Sequence, residues 1–200
     1  LRNVPLIEDV LTMLELLSGL GVQVSHKDHC VRLCARGLQK RALDRELCLR
    51  VRSSILLSGP LAARHGRATL YPPGGDVIGR RRLDTHFMGL GALGIRVSAG
   101  SDCYRFTRGR LEGANILLDE ASVTATENIM MAATLAAGAT VIFNAACEPH
   151  VQDLAVLLAK MGARISGIGT NRIEIRGVKS LSGAEHEVCP DHIETGSFLA

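Results

Sequence analysis

The sequence predicts a mixed α/β (α+β) domain built from about three copies of one supersecondary unit. Three segments align without gaps around a glycine, and each reads as an amphipathic helix followed by an alternating strand. A second helix–glycine–strand element recurs between them. The hydrophobic fraction of 46% supports a substantial core, and an aromatic fraction of 3% makes that core mainly aliphatic.

The first recurring element places a helix-terminating glycine before a strand. A second strand ending in Arg-Gly follows each copy, and the copies repeat at roughly 70 residues, a period too long for an open solenoid. The copies read "LLSGLGVQVS", "FMGLGALGIRVS" and "AVLLAKMGARIS", with Gly21, Gly94 and Gly162 at the aligned position.

The second recurring element is a helix that is apolar on all faces, closed by a glycine and followed by a strand. Its copies are "ILLSGPLAARHGRATLYPPG", with Gly66, and "NIMMAATLAAGATVIFNAAC", with Gly138. A helix that is apolar all round is expected to be buried. The unit is therefore β-α-β-α-β-β, and we expect pseudo-threefold packing with helices inside and sheets outside. The first copy lacks its opening strand and helix.

Composition and charge argue against several classes of function. The formal net charge of +3 is weak, and the lysines and arginines are scattered rather than clustered, so nucleic-acid binding is not expected. No apolar run approaches membrane-spanning length, so no membrane association is expected. The six cysteines form no C-x-x-C pair and the seven histidines lack ligand spacing. Buried thiols in a reducing cytoplasm are favoured, and neither a metal nor a cofactor is expected.

One stretch, "YPPGGDVIGRRRLDTH" (Tyr71–His86), concentrates groups that could take part in chemistry. Prolines and glycines break the backbone, and Asp76, three arginines, Asp84 and His86 follow. On these residues alone, an Asx-type turn at Asp76 and a solvated turn at the arginines are favoured. The alternative is a loop that holds an anion beside an acid.

The whole chain resembles the UDP-N-acetylglucosamine 1-carboxyvinyltransferase family of enolpyruvyl transferases. The resemblance rests on "NVPLIEDV", "GPLAARHG", "PGGDVIG", "LDTH", "SVTATENIMMAATLAAGATVIFNAACEP", "MGARISGIGTNRIEIRGV" and "PDHIETGSF". It implies transfer of the enolpyruvyl group of phosphoenolpyruvate to the 3-hydroxyl of UDP-N-acetylglucosamine (UDP-GlcNAc), the first committed step of peptidoglycan synthesis. The resemblance also implies that the enzyme is a cytoplasmic monomer without a cofactor.

The resemblance also implies an inside-out α/β barrel domain of three such units, paired with a second domain across a cleft. Residues 1–190 would form one domain with a truncated first repeat, and residues 191–200 the hinge and the start of the other domain. The family's lysine–asparagine pair and its aspartate base would lie outside the chain. We therefore expect these 200 residues alone to be inactive.

The resemblance assigns roles to particular residues. Asp76 occupies the lid position of the proton donor, where most relatives have cysteine and some have aspartate. Arg52 and Arg81 match arginines that contact anionic groups, although Arg52 also suits a polar helix start. Ser122 precedes a helix, so an N-cap role is equally expected. The nucleotide-binding stretches are Arg81, Arg82, Leu83, Asp84 and Thr85, and then Glu120, Ala121, Ser122 and Val123.

Four positions depart from the family pattern. Arg82 stands where proline is usual, and we expect its side chain to point to solvent. Thr85 replaces leucine, His150 replaces an acidic residue, and His192 replaces the arginine of the hinge. His86 fits the cleft, and Asp191 and Glu194 fit the hinge.

Two other interpretations stay open. One is the related shikimate-pathway enolpyruvyl transferase, against which "PGGDVIG" and "SVTATEN" argue. The other is a folded module without catalytic activity.

Overall fold

The computed structural model describes residues 1–39, 42–75 and 82–200. The helices are α1 (Glu8–Gly19), α2 (Arg45–Arg50), α3 (Ser58–His65), α4 (Asp84–Ala92), α5 (Val123–Ala133), α6 (Pro149–Lys160) and α7 (His192–Leu199). Short 3-10 helices span Ala35–Gly37 and Arg52–Leu57. The strands are β1 (Gln23–Lys27), β2 (Cys30–Cys34), β3 (Arg67–Leu70), β4 (Ile95–Ala99), β5 (Tyr104–Arg108), β6 (Asn115–Leu117), β7 (Ala139–Phe143), β8 (Arg164–Ser166) and β9 (Arg172–Arg176).

The predicted mixed α/β class is confirmed. The described strands form three separate sheets, ordered β1-β2, β3-β5-β4 and β6-β7-β9-β8. The pairs are antiparallel except β6–β7, which is parallel. The last unit runs β6-α5-β7-α6-β8-β9, which is the full predicted order of elements. These sheets do not join into one closed sheet within the described part of the chain.

Each sheet receives a parallel contact from residues that follow the preceding unit. Ala42, after β2, bridges Thr69 of β3, and β6, after β5, pairs with β7. Glu187, after β9, bridges Arg2 at the other end of the chain. The residues that follow the third unit therefore return to the first.

Residues 1–4 supply the strand position that precedes α1 in the first unit. Leu1 exchanges two main-chain hydrogen bonds with Val31 of β2, and the N–H of Val4 donates to the carbonyl of His29 at 2.9 Å. Residues 1–4 thus lie beside β2 in the first unit. They occupy the position that β3 has beside β5 and that β7 has beside β9 in the other two units.

The five repeat glycines all adopt positive φ. A left-handed residue after a helix carries a steric cost for any side chain but little for glycine, which explains why glycine marks each copy. The φ values are 97° at Gly21, 83° at Gly66, 89° at Gly94, 89° at Gly138 and 103° at Gly162.

Helix α5 lies at the centre of the core. Residues 125–130 are all buried, as are Ala132 and Ala133, and α3, α4 and α6 pack against this helix. The prediction that its all-round apolar surface is buried is confirmed. No helix among the described residues is long and apolar enough to cross a membrane.

The other apolar helix is divided. The sequence "SSILLSGPLAA" reads as one helix, but a 3-10 segment precedes α3. The buried hydroxyls of Ser54 and Ser58 donate to the carbonyls of Val51 and Ile55 at 2.9 and 2.7 Å, which competes with regular helical bonding. Pro60 has no N–H to donate and is tolerated in the first turn of a helix, which suits a start of α3 at Ser58.

Candidate functional site

The predicted site residues lie where strands end and helices begin. Strands β6 and β7 are parallel, so their carboxyl ends meet at one edge of the sheet. Residues 118–122 and 144–148 leave this edge and lead into α5 and α6. Helix α4 packs against α5 and brings residues 82–86 to the same region.

The start of the loop after β3 is anchored beside Arg52. The N–H of Gly74 donates to the carbonyl of Cys48 at 2.9 Å. A Cβ at Gly74 would lie only 1.6 Å from the carbonyl oxygen of Leu49, so this close approach requires glycine. Gly75 lies against the backbone of Arg52, where an added Cβ would be 3.3 Å from the Arg52 nitrogen. The loop therefore leaves the core next to this arginine.

Two predicted residues, Asp76 and Arg81, lie outside the described residues, in the 76–81 gap. Their assignments as proton donor and anion ligand stay predictions.

Arg52 is the first residue of a 3-10 helix, as the polar helix start predicted. Its Nη2 donates to the main-chain carbonyl of Arg82 at 3.1 Å. The guanidinium of Arg52 therefore also holds the backbone at the beginning of the first predicted nucleotide stretch.

Arg82 lies at the surface, as expected, and its side chain also contacts two carboxylates. Its side chain is 55% exposed, but Nε donates to Oδ2 of Asp84 at 2.8 Å and Nη2 lies 3.6 Å from Oδ2 of Asp119. The hydrogen bond to Asp84, followed by the charges of Asp84 and Asp119, raises the pKa of Arg82 above its ordinary value. The side chain is held at the surface because two carboxylates flank it.

Thr85 joins the two predicted nucleotide stretches. It is buried, and its Oγ1 lies 2.8 Å from Oδ1 of Asp119 and 3.3 Å from Oε1 of Glu120. The single hydroxyl proton is best donated to the nearer oxygen, that of Asp119. Leu83, two residues before Thr85, is buried in the core. The start of α4 is therefore held by the packing of Leu83 and by the hydrogen bond of Thr85.

Ser122 caps α5, as predicted. Its hydroxyl accepts a hydrogen bond from the N–H of Ala125 at 3.4 Å. Glu120 and Ala121 are exposed immediately before it, and Val123 is half-buried at the first helical position. The second predicted stretch is thus an exposed approach to a helix N-terminus, where partial positive charge favours anions.

His86 is a buried, neutral side chain. Its Nδ1 lies 3.1 Å from the amide nitrogen of Asn128, and its Nε2 lies 3.1 Å from the hydroxyl oxygen of Thr124. An amide nitrogen only donates, so Nδ1 accepts and Nε2 carries the proton. Burial, and then the charge of Arg52, lowers the pKa of His86 to about 4. His86 therefore fixes α4 on α5 without carrying a charge.

A second titratable group lies one residue before Asn128. Glu127 is buried, and burial, followed by the charge of Glu148, raises the pKa of Glu127 to about 7. Glu148 precedes α6, and its Oε2 is buried without a hydrogen-bond partner among the described residues. The carboxyl group of Glu127 is therefore partly protonated near neutral pH.

Sequence reasoning missed several of these residues. Asp119, Thr124, Glu127 and Asn128 received no role, although the first follows β6 beside Glu120 and the others interrupt an otherwise apolar helix. A polar residue in a buried helix needs a partner, and that requirement is the signal that could have indicated them.

Two departures from the family pattern contact each other near the predicted hinge. The rings of His150 and His192 are stacked, with centroids 5.7 Å apart and planes inclined by 19°. Asp191 caps α7 by accepting from the N–H groups of Ile193 and Glu194 at 2.8 and 3.4 Å. All residues of α7, including Glu194, are exposed, so α7 stands apart from the core.

Comparison with known proteins defines the class of protein. The family profile described as EPSP synthase (3-phosphoshikimate 1-carboxyvinyltransferase) matches residues 1–200. The chain belongs to this family of enolpyruvyl transferases.

Curated relatives indicate the particular kind of transferase. The chain is 52% identical over 200 residues to UDP-N-acetylglucosamine 1-carboxyvinyltransferase from Treponema denticola, covering 100% of the chain and 47% of the relative. It is 51% identical to the protein of the same name from Treponema pallidum, again over 100% of the chain and 47% of the relative. For the Bradyrhizobium diazoefficiens protein of that name, the identity is 50%, over 100% of the chain and 46% of the relative. The chain thus spans about half the length of these relatives, and the predicted resemblance is confirmed.

Solved structures agree on the fold. The enolpyruvyl transferase NikO from Streptomyces tendae matches with a TM-score of 0.83 and 22% identity, over 99% of this chain and 47% of that one. EPSP synthase from Acinetobacter baumannii matches with a TM-score of 0.71 and 20% identity, over 96% of this chain and 44% of that one. At these identities the likeness concerns the fold alone.

Proposed function

We propose that the protein transfers the enolpyruvyl group of phosphoenolpyruvate to the 3-hydroxyl of UDP-GlcNAc and releases phosphate. The observation that carries this proposal is the identity of about half of all positions, along the whole chain, to relatives named for this reaction. The step would be the first committed one of peptidoglycan synthesis. Both substrates are intracellular metabolites, so the proposal places the protein in the cytoplasm.

The proposed reaction is an addition followed by an elimination. The sugar hydroxyl loses its proton to a base and adds to C2 of phosphoenolpyruvate, while an acid protonates the methylene carbon C3. Loss of a C3 proton and of phosphate then restores the double bond in the product. The chemistry therefore needs an acid, a base and cations for the phosphate and carboxylate groups.

We assign the acid to Asp76 and the cations to Arg81 and Arg52. A carboxyl group can donate at neutral pH only if its pKa is raised, and exclusion of water on loop closure would raise it. The contacts of Gly74 and Gly75 support this assignment, because they start the loop beside Arg52. An acid on this loop would therefore operate close to an anion-binding arginine.

The two nucleotide stretches are proposed to hold the uridine diphosphate. Support comes from the contacts of Thr85 with Asp119 and Glu120, which bring residues 82–85 and 120–123 together. The N-terminus of α5 at Val123 adds a favourable environment for a phosphate group.

We also propose that the three units close around a pseudo-threefold axis as an inside-out barrel domain. The equivalent parallel contacts of the three sheets support this arrangement, since the bridge between Arg2 and Glu187 returns the third unit to the first. The exposed α7 supports a domain of residues 1–190 followed by a hinge at 191–200.

Ligand-induced thermal shifts test the proposal directly. With the protein expressed as its gene encodes it, UDP-GlcNAc should raise the unfolding temperature in a saturable way, and shikimate 3-phosphate should not. A shift with shikimate 3-phosphate alone would instead indicate the shikimate-pathway reaction. A shift with neither would support a module that does not bind these substrates.

A further inference from the structure

Resting on the proposed function, we infer that Asp119 is a positioning residue for the nucleotide. Its carboxylate, together with Thr85 and Arg82, forms a latch between the two nucleotide stretches. We define this interstretch latch as the contacts of Thr85 and Arg82 with Asp119.

The first support is that two departures from the family pattern converge on one carboxylate. Arg82 stands where proline is usual and Thr85 where leucine is usual, and neither usual residue could make these contacts. Here Thr85 reaches Oδ1 of Asp119 at 2.8 Å, and Arg82 reaches Oδ2 at 3.6 Å. Both oxygens of Asp119 are therefore engaged from the same turn of chain.

The second support is the burial of the threonine. Thr85 is only 3% exposed, so its hydroxyl needs an acceptor in place of water. Asp119 supplies that acceptor from 34 residues further along the chain. A leucine or valine at this position would need no acceptor and would leave only the exposed contact of Arg82 with Asp119.

The third support is that the ion pair between Arg82 and Asp119 contributes little to the free energy of folding. The side chains of Arg82 and Asp119 are 55% and 46% exposed, and exposed ion pairs of this kind contribute little to stability. What the contact fixes is the relative position of residues 82–85 and 119–123, which is what a ligand lying across both stretches requires.

Charge gives a further reason for the latch. Asp84 and Asp119 contact Arg82, and the charge of Glu120 also acts on it, so a nucleotide diphosphate would meet three carboxylates here. Arg82 and Thr85 engage Asp119, and Arg82 also engages Asp84. Arg82 therefore supplies the positive charge that partly offsets these carboxylates, and its contact with Asp119 helps to keep the guanidinium in that position. Loss of the latch should weaken nucleotide binding but leave phosphoenolpyruvate binding unchanged.

Steady-state kinetics of the protein as its gene encodes it test the latch. Thr85→Val and Asp119→Ala should each raise the KM for UDP-GlcNAc by about tenfold, with the KM for phosphoenolpyruvate and kcat within about twofold of wild type. The KM of the double variant for UDP-GlcNAc should be no higher than that of the poorer single variant, because both changes remove the same hydrogen bond between Thr85 and Asp119. Thr85→Ser, which keeps the hydroxyl, should restore most of the affinity.

The matched control is Thr140→Val. Thr140 is a buried threonine on β7, and its hydroxyl has no hydrogen-bond partner within the described ranges. This change should leave both KM values as in wild type. An active wild type whose Thr85→Val variant keeps the same KM for UDP-GlcNAc would overturn the latch alone. A wild type that does not turn over UDP-GlcNAc would overturn the proposed function and the latch with it.

Discussion

The amide nitrogen of Asn128 lies 3.1 Å from Nδ1 of His86, and the backbone N–H of Gly59 donates to Oδ1 of the same asparagine at 2.9 Å. Since Oδ1 is occupied by a donor, the amide orientation is fixed. One asparagine on the central helix therefore holds α3 on one side and α4 on the other, beneath the candidate site.

His86 should make the protein sensitive to mild acid. The folded-state pKa of about 4 lies below the unfolded value of 6.5, so the unfolded state binds the extra proton between these values. Stability should be fully present above about pH 6.5 and should fall by up to about 3 kcal/mol as the pH drops to 4. Urea unfolding across this range should show the loss.

His86→Gln is the variant for comparison, and its stability should lack this component of the pH dependence. His26→Gln, at an exposed position on β1, is the matched control and should follow the wild-type curve. An NMR titration in which the His86 ring protonates near pH 6.5 would contradict the account.

Glu127 should act in the opposite direction. Its folded-state pKa of about 7 lies above the ordinary 4.5, so its contribution to stability is complete below pH 4.5 and is lost as the pH rises to about 7. Glu127→Gln, which keeps the shape but never ionises, should be more stable than wild type at pH 8 by about 1–3 kcal/mol. The exposed Glu112→Gln should change stability by less than about 0.5 kcal/mol. Equal stability of Glu127→Gln and wild type at pH 8 would show that the carboxyl group is not strained by burial.

His186 should stabilise the contact between the residues that follow the third unit and residues 1–4. The side chain of His186 is buried, and its Nδ1 accepts a hydrogen bond from Nζ of Lys160 at 3.1 Å. Its Nε2 lies 3.0 Å from Oδ1 of Asp153, although the two atoms are not aligned as a hydrogen bond. Its carbonyl accepts from the N–H of Arg2 at 2.9 Å. His186→Ala should lower the free energy of unfolding by about 2–3 kcal/mol and speed amide exchange in residues 1–4. Unchanged exchange there would show that His186 does not hold this contact.

Asp76 should be essential for turnover in the protein as its gene encodes it. Asp76→Asn should reduce kcat by about 10²–10⁴-fold, because an amide cannot donate the proton. Asp76→Cys should keep activity and gain sensitivity to epoxides, since a thiolate attacks an epoxide far faster than a carboxylate does. The exposed Asp102→Asn is the matched control. Near-normal turnover of Asp76→Asn would return Asp76 to the role of a turn residue.

The parts of the fold that follow from local rules could be predicted from the sequence. The five glycines, the cap at Ser122 and the buried α5 depend on residues a few positions apart, and periodicity reports such relationships well. The division before α3 was missed because two serine hydroxyls bond the backbone there, a choice that apolar periodicity does not encode.

The resemblance predicts the two stretches of the candidate site but not the contacts that join them. Resemblance indicated Thr85 and Glu120, but their link through Asp119 spans 34 residues, and the contact of His86 with Asn128 spans 42. Such contacts depend on how α4 packs on α5, so neither spacing nor composition could identify them. The contacts of the exposed Arg82 with Asp84 and Asp119 could not be identified for the same reason.

The most direct test of the central claim is a product analysis. The protein expressed as its gene encodes it would be incubated with phosphoenolpyruvate and an equimolar mixture of UDP-GlcNAc and shikimate 3-phosphate, and the products identified by mass spectrometry alongside phosphate release. We predict enolpyruvyl-UDP-GlcNAc in amounts equal to the phosphate released. Enolpyruvylation of shikimate 3-phosphate, with UDP-GlcNAc unchanged, would contradict the account.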